Sequence, residues 1–269
     1  SSLFVIDSLE KDRALSTVAA NYFRGIAYSK DRQLRTSAWC WQKNMVTHNM
    51  RSEDLYYYFE SAASLSNLLV NKNNYEGALR VALPAVTKME EINSDLDLEH
   101  AILHESIGRC QLSLGSDDEA AVSYNLAFKK YMQMADADST AEGLRHAIID
   151  AFNTALSYQH AKRFQEALTW VNRTDSLLAP FRARPGANEA FADHVKMRLN
   201  LQYAAALQPL GRIDEAAAAY QAYEATEYGK SSYGRIDATT YLMEAKRYEE
   251  AANYYRELDN VLNEWGIDD

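Results

Sequence analysis

The chain is predicted to be all-α: a right-handed α-solenoid of about six divergent helix pairs behind one leading helix. Three observations point there. First, a short phrase recurs, made of a polar turn, one large apolar residue, two mostly polar residues and a small residue. It reads Lys72-Asn73-Asn74-Tyr75-Glu76-Gly77-Ala78, then Ala161-Lys162-Arg163-Phe164-Gln165-Glu166-Ala167. It returns as Leu210-Gly211-Arg212-Ile213-Asp214-Glu215-Ala216 and Ala245-Lys246-Arg247-Tyr248-Glu249-Glu250-Ala251, with weaker copies at 34–37 and 115–120. Second, the closing small residue stands twelve positions after another small residue: Gly25 and Ser37, Ser66 and Ala78, Gly108 and Ala120, Ala155 and Ala167, Ala204 and Ala216, Thr239 and Ala251. Third, four prolines and ten glycines in 269 residues leave helix breakers scarce, and no strand pattern competes. A phrase recurring at such a period is the signature of a repeat array.

Antiparallel helices joined by a tight turn approach closely only where both carry small side chains. Four residues past the second small residue comes a larger one: Trp41, Tyr124, Val171, Tyr220 and Tyr255, with Ala82 the exception. That spacing keeps it on the same helix face, one turn on.

The elements follow in order. Leu3, Phe4, Ile6 and Leu9 share one face and predict a leading helix from Ser2 to Lys11. Repeats are expected at about 16–50, 52–92, 96–134, 141–180, 189–225 and 233–265, with one superhelical domain over 1–269. Asn93-Ser94-Asp95 breaks the second repeat from the third, and Ser94 or Asp95 can cap the next helix. Residues 135–140 are a polar break, Pro180 ends the fourth repeat, and residues 182–188 are the clearest loop. Residues 227–232 precede the sixth repeat. The count is about thirteen helices. The chain opens Ser1-Ser2 without methionine, which reads as a processed product or an excised fragment, and its end, Asn263 to Asp269, shows no compact finish.

The net charge is −10, unevenly spread. Residues 1–50 carry seven Lys/Arg against four Asp/Glu, and residues 51–145 carry eight against sixteen. An acidic body argues against nucleic acid and anionic membrane surfaces. No stretch is long and apolar enough to span a bilayer, and no signal peptide is visible. Cys40 and Cys110 fall in repeats that do not touch in a solenoid, so they read as small buried residues rather than a disulfide. The eighteen tyrosines read as packing between helices with their hydroxyls at the edge.

Chemistry is sparse. His100 and His104 stand four apart on one helix, a spacing that can place two imidazoles on one metal. Ala101 at the second position departs from the His-Glu-x-x-His order of zinc proteases, and no third ligand is apparent, so the pair reads as a solvated helix face and no metal is expected. His48, His146, His160 and His194 neighbour no nucleophile motif, and no glycine-rich phosphate loop exists. No catalytic residue and no cofactor are expected. What remains is the inner, concave face, lined in such arrays by the first helix of each repeat. Its expected lining is Tyr22, Glu60, Asn67, Glu105 and Arg109 in the first half. In the second half it is Phe152, Asn153, Gln159, Arg198, Gln202, Tyr233 and Asp237. Amide side chains could bond an extended peptide backbone, and Arg109 and Arg198 could hold a carboxylate.

The residues resemble the tetratricopeptide-repeat family. Leu114-Gly115 and Leu210-Gly211 before the turn match its pattern, as do Glu119-Ala120, Glu166-Ala167, Glu215-Ala216 and Glu250-Ala251 after it. The chain departs in period: its second small residues stand 41, 42, 47, 49 and 35 apart, against about 34 in the family. The usual tryptophan of the first helix is missing, and only Pro180 lies near the closing proline position.

A closer resemblance rests on Ile6-Asp7-Ser8-Leu9-Glu10 and Tyr22-Phe23-Arg24-Gly25-Ile26-Ala27-Tyr28 followed by long degenerate repeats. These are similar to the extracytoplasmic sensor regions of Bacteroides-type two-component histidine kinases. That family implies a periplasmic sensor domain of a membrane receptor. Its ligand is a protein, a peptide segment or a small periplasmic molecule, and dimerisation is among the arrangements it implies. It carries no binding residues onto these positions. Two further readings stand beside it: a cytosolic peptide-binding regulator or adaptor of the tetratricopeptide class, and an enzyme with a diffuse site. The last is weakest because no acid–base or nucleophile set converges.

Overall fold

The structure, a computed structural model, describes residues 2–267, so the sequence readings on Ser1, Asp268 and Asp269 lie outside the described residues. The fold is all-α, with no strand among the described residues. Fifteen α-helices follow one another there, joined by short turns and one 3₁₀ turn. The chain divides into two compact units, residues 1–133 and 134–269.

The first unit holds α1 (Ser2–Lys11), α2 (Thr17–Lys30), α3 (Leu34–Met45), α4 (Leu55–Asn71), α5 (Tyr75–Glu91), α6 (Asp97–Ser113) and most of α7 (Asp117–Ala137). Its core is centred on Phe59, Ala82, Met89, Leu103 and Ile107, all buried. Phe59, Met89, Leu103 and Ile107 each contribute about 1.5–3 kcal/mol on leaving water, and Ala82 contributes less. The second unit holds α8 (Ala141–His160), α9 (Phe164–Arg182), α10 (Glu189–Leu207) and α11 (Ile213–Glu224). It continues through α12 (Glu227–Lys230), α13 (Ser232–Asp237), α14 (Thr239–Glu244) and α15 (Tyr248–Glu264). Its core gathers Leu168, Ala204, Tyr220, Tyr223, Tyr241 and Leu242.

In three of the twelve-residue pairs the second helix lies directly against the first small residue. Ser37 Oγ donates to the Gly25 carbonyl at 2.7 Å, and a Cβ on Gly25 would fall 2.2 Å from Trp41 Nε1. A Cβ on Gly108 would meet the Tyr124 ring at 3.0 Å, and Tyr255 Oη bonds Thr239 Oγ1 at 3.2 Å. Thus the large residue sixteen positions after the first small one covers it, in three pairs. Ala78, Ala120, Ala167, Ala204, Ala216 and Ala251 are all essentially inaccessible to water.

All six pairs turn in one way. Five residues before the second small residue the backbone goes left-handed, at Arg32, Asn73, Gly115, Lys162, Gly211 and Lys246. The next amide then reaches back to the carbonyl five residues earlier, as in Asn74 N–H to Leu69 O at 2.9 Å and Arg163 N–H to Tyr158 O at 2.8 Å. These bonds satisfy carbonyls that a helix end leaves open. The Glu of the Glu-Ala step also has a cause in the last three pairs. Arg163 grips Glu166, Arg212 grips Glu215 and Arg247 grips Glu250, each fork closing the first turn of the second helix.

Several expectations need correction. The sixth repeat does not start with one helix near 233; α12, α13 and α14 stand in its place. Thr226 Oγ1 caps Gly229 N–H at 3.0 Å and Ser231 Oγ caps Gly234 N–H at 3.1 Å, so the chain restarts a short helix at each. This fragmentation raises the helix count from about thirteen to fifteen. Pro180 lies inside α9, which runs on to Arg182, so it does not end the fourth repeat. Cys40 and Cys110 are buried thiols, as expected, and burial pushes Cys110 up to about 11.

Candidate functional site

The first helices of the second unit, α8, α10 and α14, stand side by side, and a cleft of about 210 Å³ opens against them. Five of the seven residues expected on this face line it: Phe152, Gln159, Arg198, Gln202 and Asp237. The remaining two, Asn153 and Tyr233, are half-buried and exposed respectively, and neither lines the cleft. Arg198 lies over the Phe152 ring, 5.7 Å from guanidinium carbon to centroid. Such stacking holds the fork in place, and the fork also hydrogen-bonds the Tyr228 hydroxyl.

Gln202 is 5% exposed. Its Nε2 donates to the Phe152 carbonyl at 3.3 Å, while its Oε1 has no donor. The reverse amide orientation would set oxygen against oxygen, so the placement is fixed by its neighbour. A buried acceptor without a donor costs about 1–3 kcal/mol.

Sequence reasoning missed the far wall. Tyr228 donates to Asp237 Oδ2 at 2.6 Å, and Tyr223 donates to the Gly234 carbonyl at 2.6 Å. Burial and the Asp237 carboxylate raise both phenols above their ordinary value, with Arg198 pulling the other way. These residues reach the cleft because α12 and α13 are short and tightly stacked. A Cβ on Gly234 would lie 1.8 Å from the Tyr228 carbonyl, so only glycine fits. The signal was present in the sequence as Gly229 and Gly234, each following a capping hydroxyl by three residues.

The five expected residues of the first unit do not gather in one cleft. Tyr22 donates to Glu60 Oε2 at 3.2 Å, linking α2 to α4. Glu60 faces Glu99 of α6, which is 7% exposed; burial and the facing carboxylate push Glu60 up to about 7. Glu99 is absent from the expected lining, and its role here is a second miss. Asn67 is exposed and accepts from Ser106 Oγ at 2.8 Å. Glu105 accepts from Tyr131 Oη at 3.4 Å, and Arg109 is exposed on α6.

The reading of His100 and His104 as a solvated face is overturned. His104 is 5% exposed, and the two Nε2 atoms stand 2.9 Å apart. Leucines and alanines around α6 place this flank inside because α5 packs against it.

No family model and no curated protein matches the chain. Solved structures do. BtubC (BKLC) from P. vanneervenii aligns with TM-score 0.62 and 14% identity over 83% of this chain and 85% of its own. Aspartyl phosphate phosphatase F from Bacillus subtilis aligns with TM-score 0.55 and 14% identity over 94% and 73%. A Rap protein solved in complex with competence and sporulation factor aligns with TM-score 0.50 and 14% identity over 96% and 79%. At such identity these likenesses define the fold: a tetratricopeptide-like array of helix pairs.

Proposed function

We propose that the chain is a non-catalytic binding scaffold whose second unit takes a segment of polypeptide in the Arg198 cleft. The orphaned Gln202 Oε1, in a cleft that Arg198 also lines, carries this reading. One site lacks a donor and the other offers donors. A peptide group supplies both complements, an N–H for Gln202 and a carbonyl for Arg198. The Phe152 and Tyr241 rings give a side chain an apolar seat, and 210 Å³ suits one residue or a chain end rather than a large cofactor. Asp237 and Tyr228 at the rim favour a ligand with donors of its own. The neighbour solved with competence and sporulation factor supports partner binding on this kind of array.

The residues at 6–10 and 22–28 support a finer reading: the array serves as the periplasmic sensor of a two-component histidine kinase. The competing reading is a cytosolic adaptor. The coding sequence around this segment decides between them, by an encoded leader upstream and an apolar span downstream or by neither.

The cleft itself is tested by panning a random-peptide display library on the wild type and on Arg198→Ala and Gln202→Ala. Enriched peptides should lose about ten- to a hundredfold in affinity for Arg198→Ala, the worth of one charge-assisted contact. Equal affinity for all three folded proteins would remove the cleft as the site.

A further inference from the structure

We propose that Glu90, His100 and His104 form a binding site for one divalent transition-metal ion of the zinc class, joining α5 to α6. Three ligand atoms converge there, all within 4.8 Å of one another. His100 Nε2 and His104 Nε2 are 2.9 Å apart, and Glu90 Oε1 lies 3.8 Å from the first and 4.0 Å from the second. Donors about 2.0–2.1 Å from a tetrahedral zinc stand roughly 3.3 Å from each other. The present separations bracket that value, and a small turn of the Glu90 side chain, which is 58% exposed, brings the carboxylate in.

The site has the build that a metal needs. The imidazoles come from one helix at i and i+4, so α6 fixes their spacing. Their side chains are 14% and 7% exposed, which holds the rings in place. Glu90 comes from the end of the preceding helix, across a connection of five residues at 92–96, so the ion would bridge two successive repeats. A hydrogen bond between the rings would account for the imidazole pair alone. It leaves the third converging oxygen unexplained.

Lys130 is an unfavourable charge nearby, and its ammonium is engaged by Asp97 Oδ1 at 2.7 Å. Two nitrogens and one carboxylate oxygen suit Zn²⁺, Ni²⁺ or Cu²⁺; Mg²⁺ and Ca²⁺ prefer all-oxygen shells.

The experiment uses the chain without an affinity tag, freed of metal by chelation and titrated with Zn²⁺ against a chromophoric competitor. One ion per chain should bind, and thermal stability should rise with its concentration. Glu90→Gln and His104→Gln should each weaken binding at least about tenfold, since even an outer-shell loss does as much. Glu90→Gln lies at the surface and keeps the fold if His104→Gln does not. His48→Gln, an exposed histidine elsewhere, should bind as the wild type does. Mg²⁺ and Ca²⁺ at equal concentration should leave the melting curve unmoved. Absence of saturable Zn²⁺ binding, or undiminished affinity in folded Glu90→Gln, overturns the site.

Discussion

Ser37 Oγ donates to the Gly25 carbonyl at 2.7 Å, and behind that bond the Trp41 indole lies flat against the glycine. A helix interior seldom uses glycine, which costs about 1 kcal/mol there relative to alanine. Here the missing side chain lets a buried indole occupy its space, and Trp41 Nε1 donates onward to the Tyr22 carbonyl at 3.3 Å. The twelve-residue spacing in the sequence is therefore a record of backbone contact.

Gly25→Leu should destabilise strongly. Overpacking costs about 1–3 kcal/mol even where neighbours can yield, and Trp41 is 4% exposed with little room to move. Thermal midpoints of Gly25→Leu and of the exposed control Ala217→Leu supply the comparison; each kcal/mol moves a chain of this size by about 2–4 °C. Equal midpoints would mean that the glycine is incidental.

The left-handed turn residue gives a paired prediction. Lys162 at φ 59° carries a side chain where Gly211 at φ 78° carries none. The left-handed conformation costs an L-residue roughly 1–2 kcal/mol. Lys162→Gly should therefore raise the urea midpoint, net of the backbone entropy that glycine adds to the unfolded chain, and Gly211→Ala should lower it. Both variants moving the same way would show that another force sets these turns.

How much of this was legible is decided residue by residue. The helix pairs were, because close packing forces small residues at fixed spacing and the turn forces one backbone geometry. The second-unit cleft was legible in part: Arg198 and Gln202 fall on the inner side of α10 by helical period alone. Tyr228 was not, since it reaches the cleft through two hydroxyl caps that fold residues 227–237 into two short helices. Glu90 was also hidden, because its approach to His100 and His104 depends on how α5 and α6 cross, which no one-helix period encodes. Glu60 and Glu99 meet for the same reason.

That carboxyl pair predicts a pH dependence. Glu60 faces Glu99 on α6, Tyr22 on α2 and Tyr56 on its own helix, and its folded value is about 7 against an ordinary 4.5. A group raised on folding favours the folded state when protonated. Its contribution is complete below about pH 4.5, declines as pH rises to about 7, and is gone above. Glu60→Gln keeps the neutral form at every pH. The difference in melting temperature between wild type and Glu60→Gln should therefore open between pH 4.5 and pH 7 and stay constant beyond. Parallel curves across that window would show that the two carboxyls do not share a proton.

The last prediction ties the fold to the cleft. Gly234→Ala places a methyl 1.8 Å from the Tyr228 carbonyl, a backbone atom that cannot swing aside. The α12–α13 step must open, and with it go the Tyr223 bond to the Gly234 carbonyl and the Tyr228 bond to Asp237. Gly186→Ala is the natural comparison, since Gly186 has a positive φ of 81° but nothing within 4 Å. That variant should lose only the left-handed penalty of roughly 1–2 kcal/mol. Gly234→Ala should lose more, and it should also change the alkaline absorbance titration of the tyrosines. In the wild type, burial and Asp237 hold Tyr223 and Tyr228 above the ordinary phenol value. Opened to water, the two phenols should ionise earlier in the variant. An unchanged titration in a destabilised Gly234→Ala would place its damage outside the cleft and separate the capped step from the binding face.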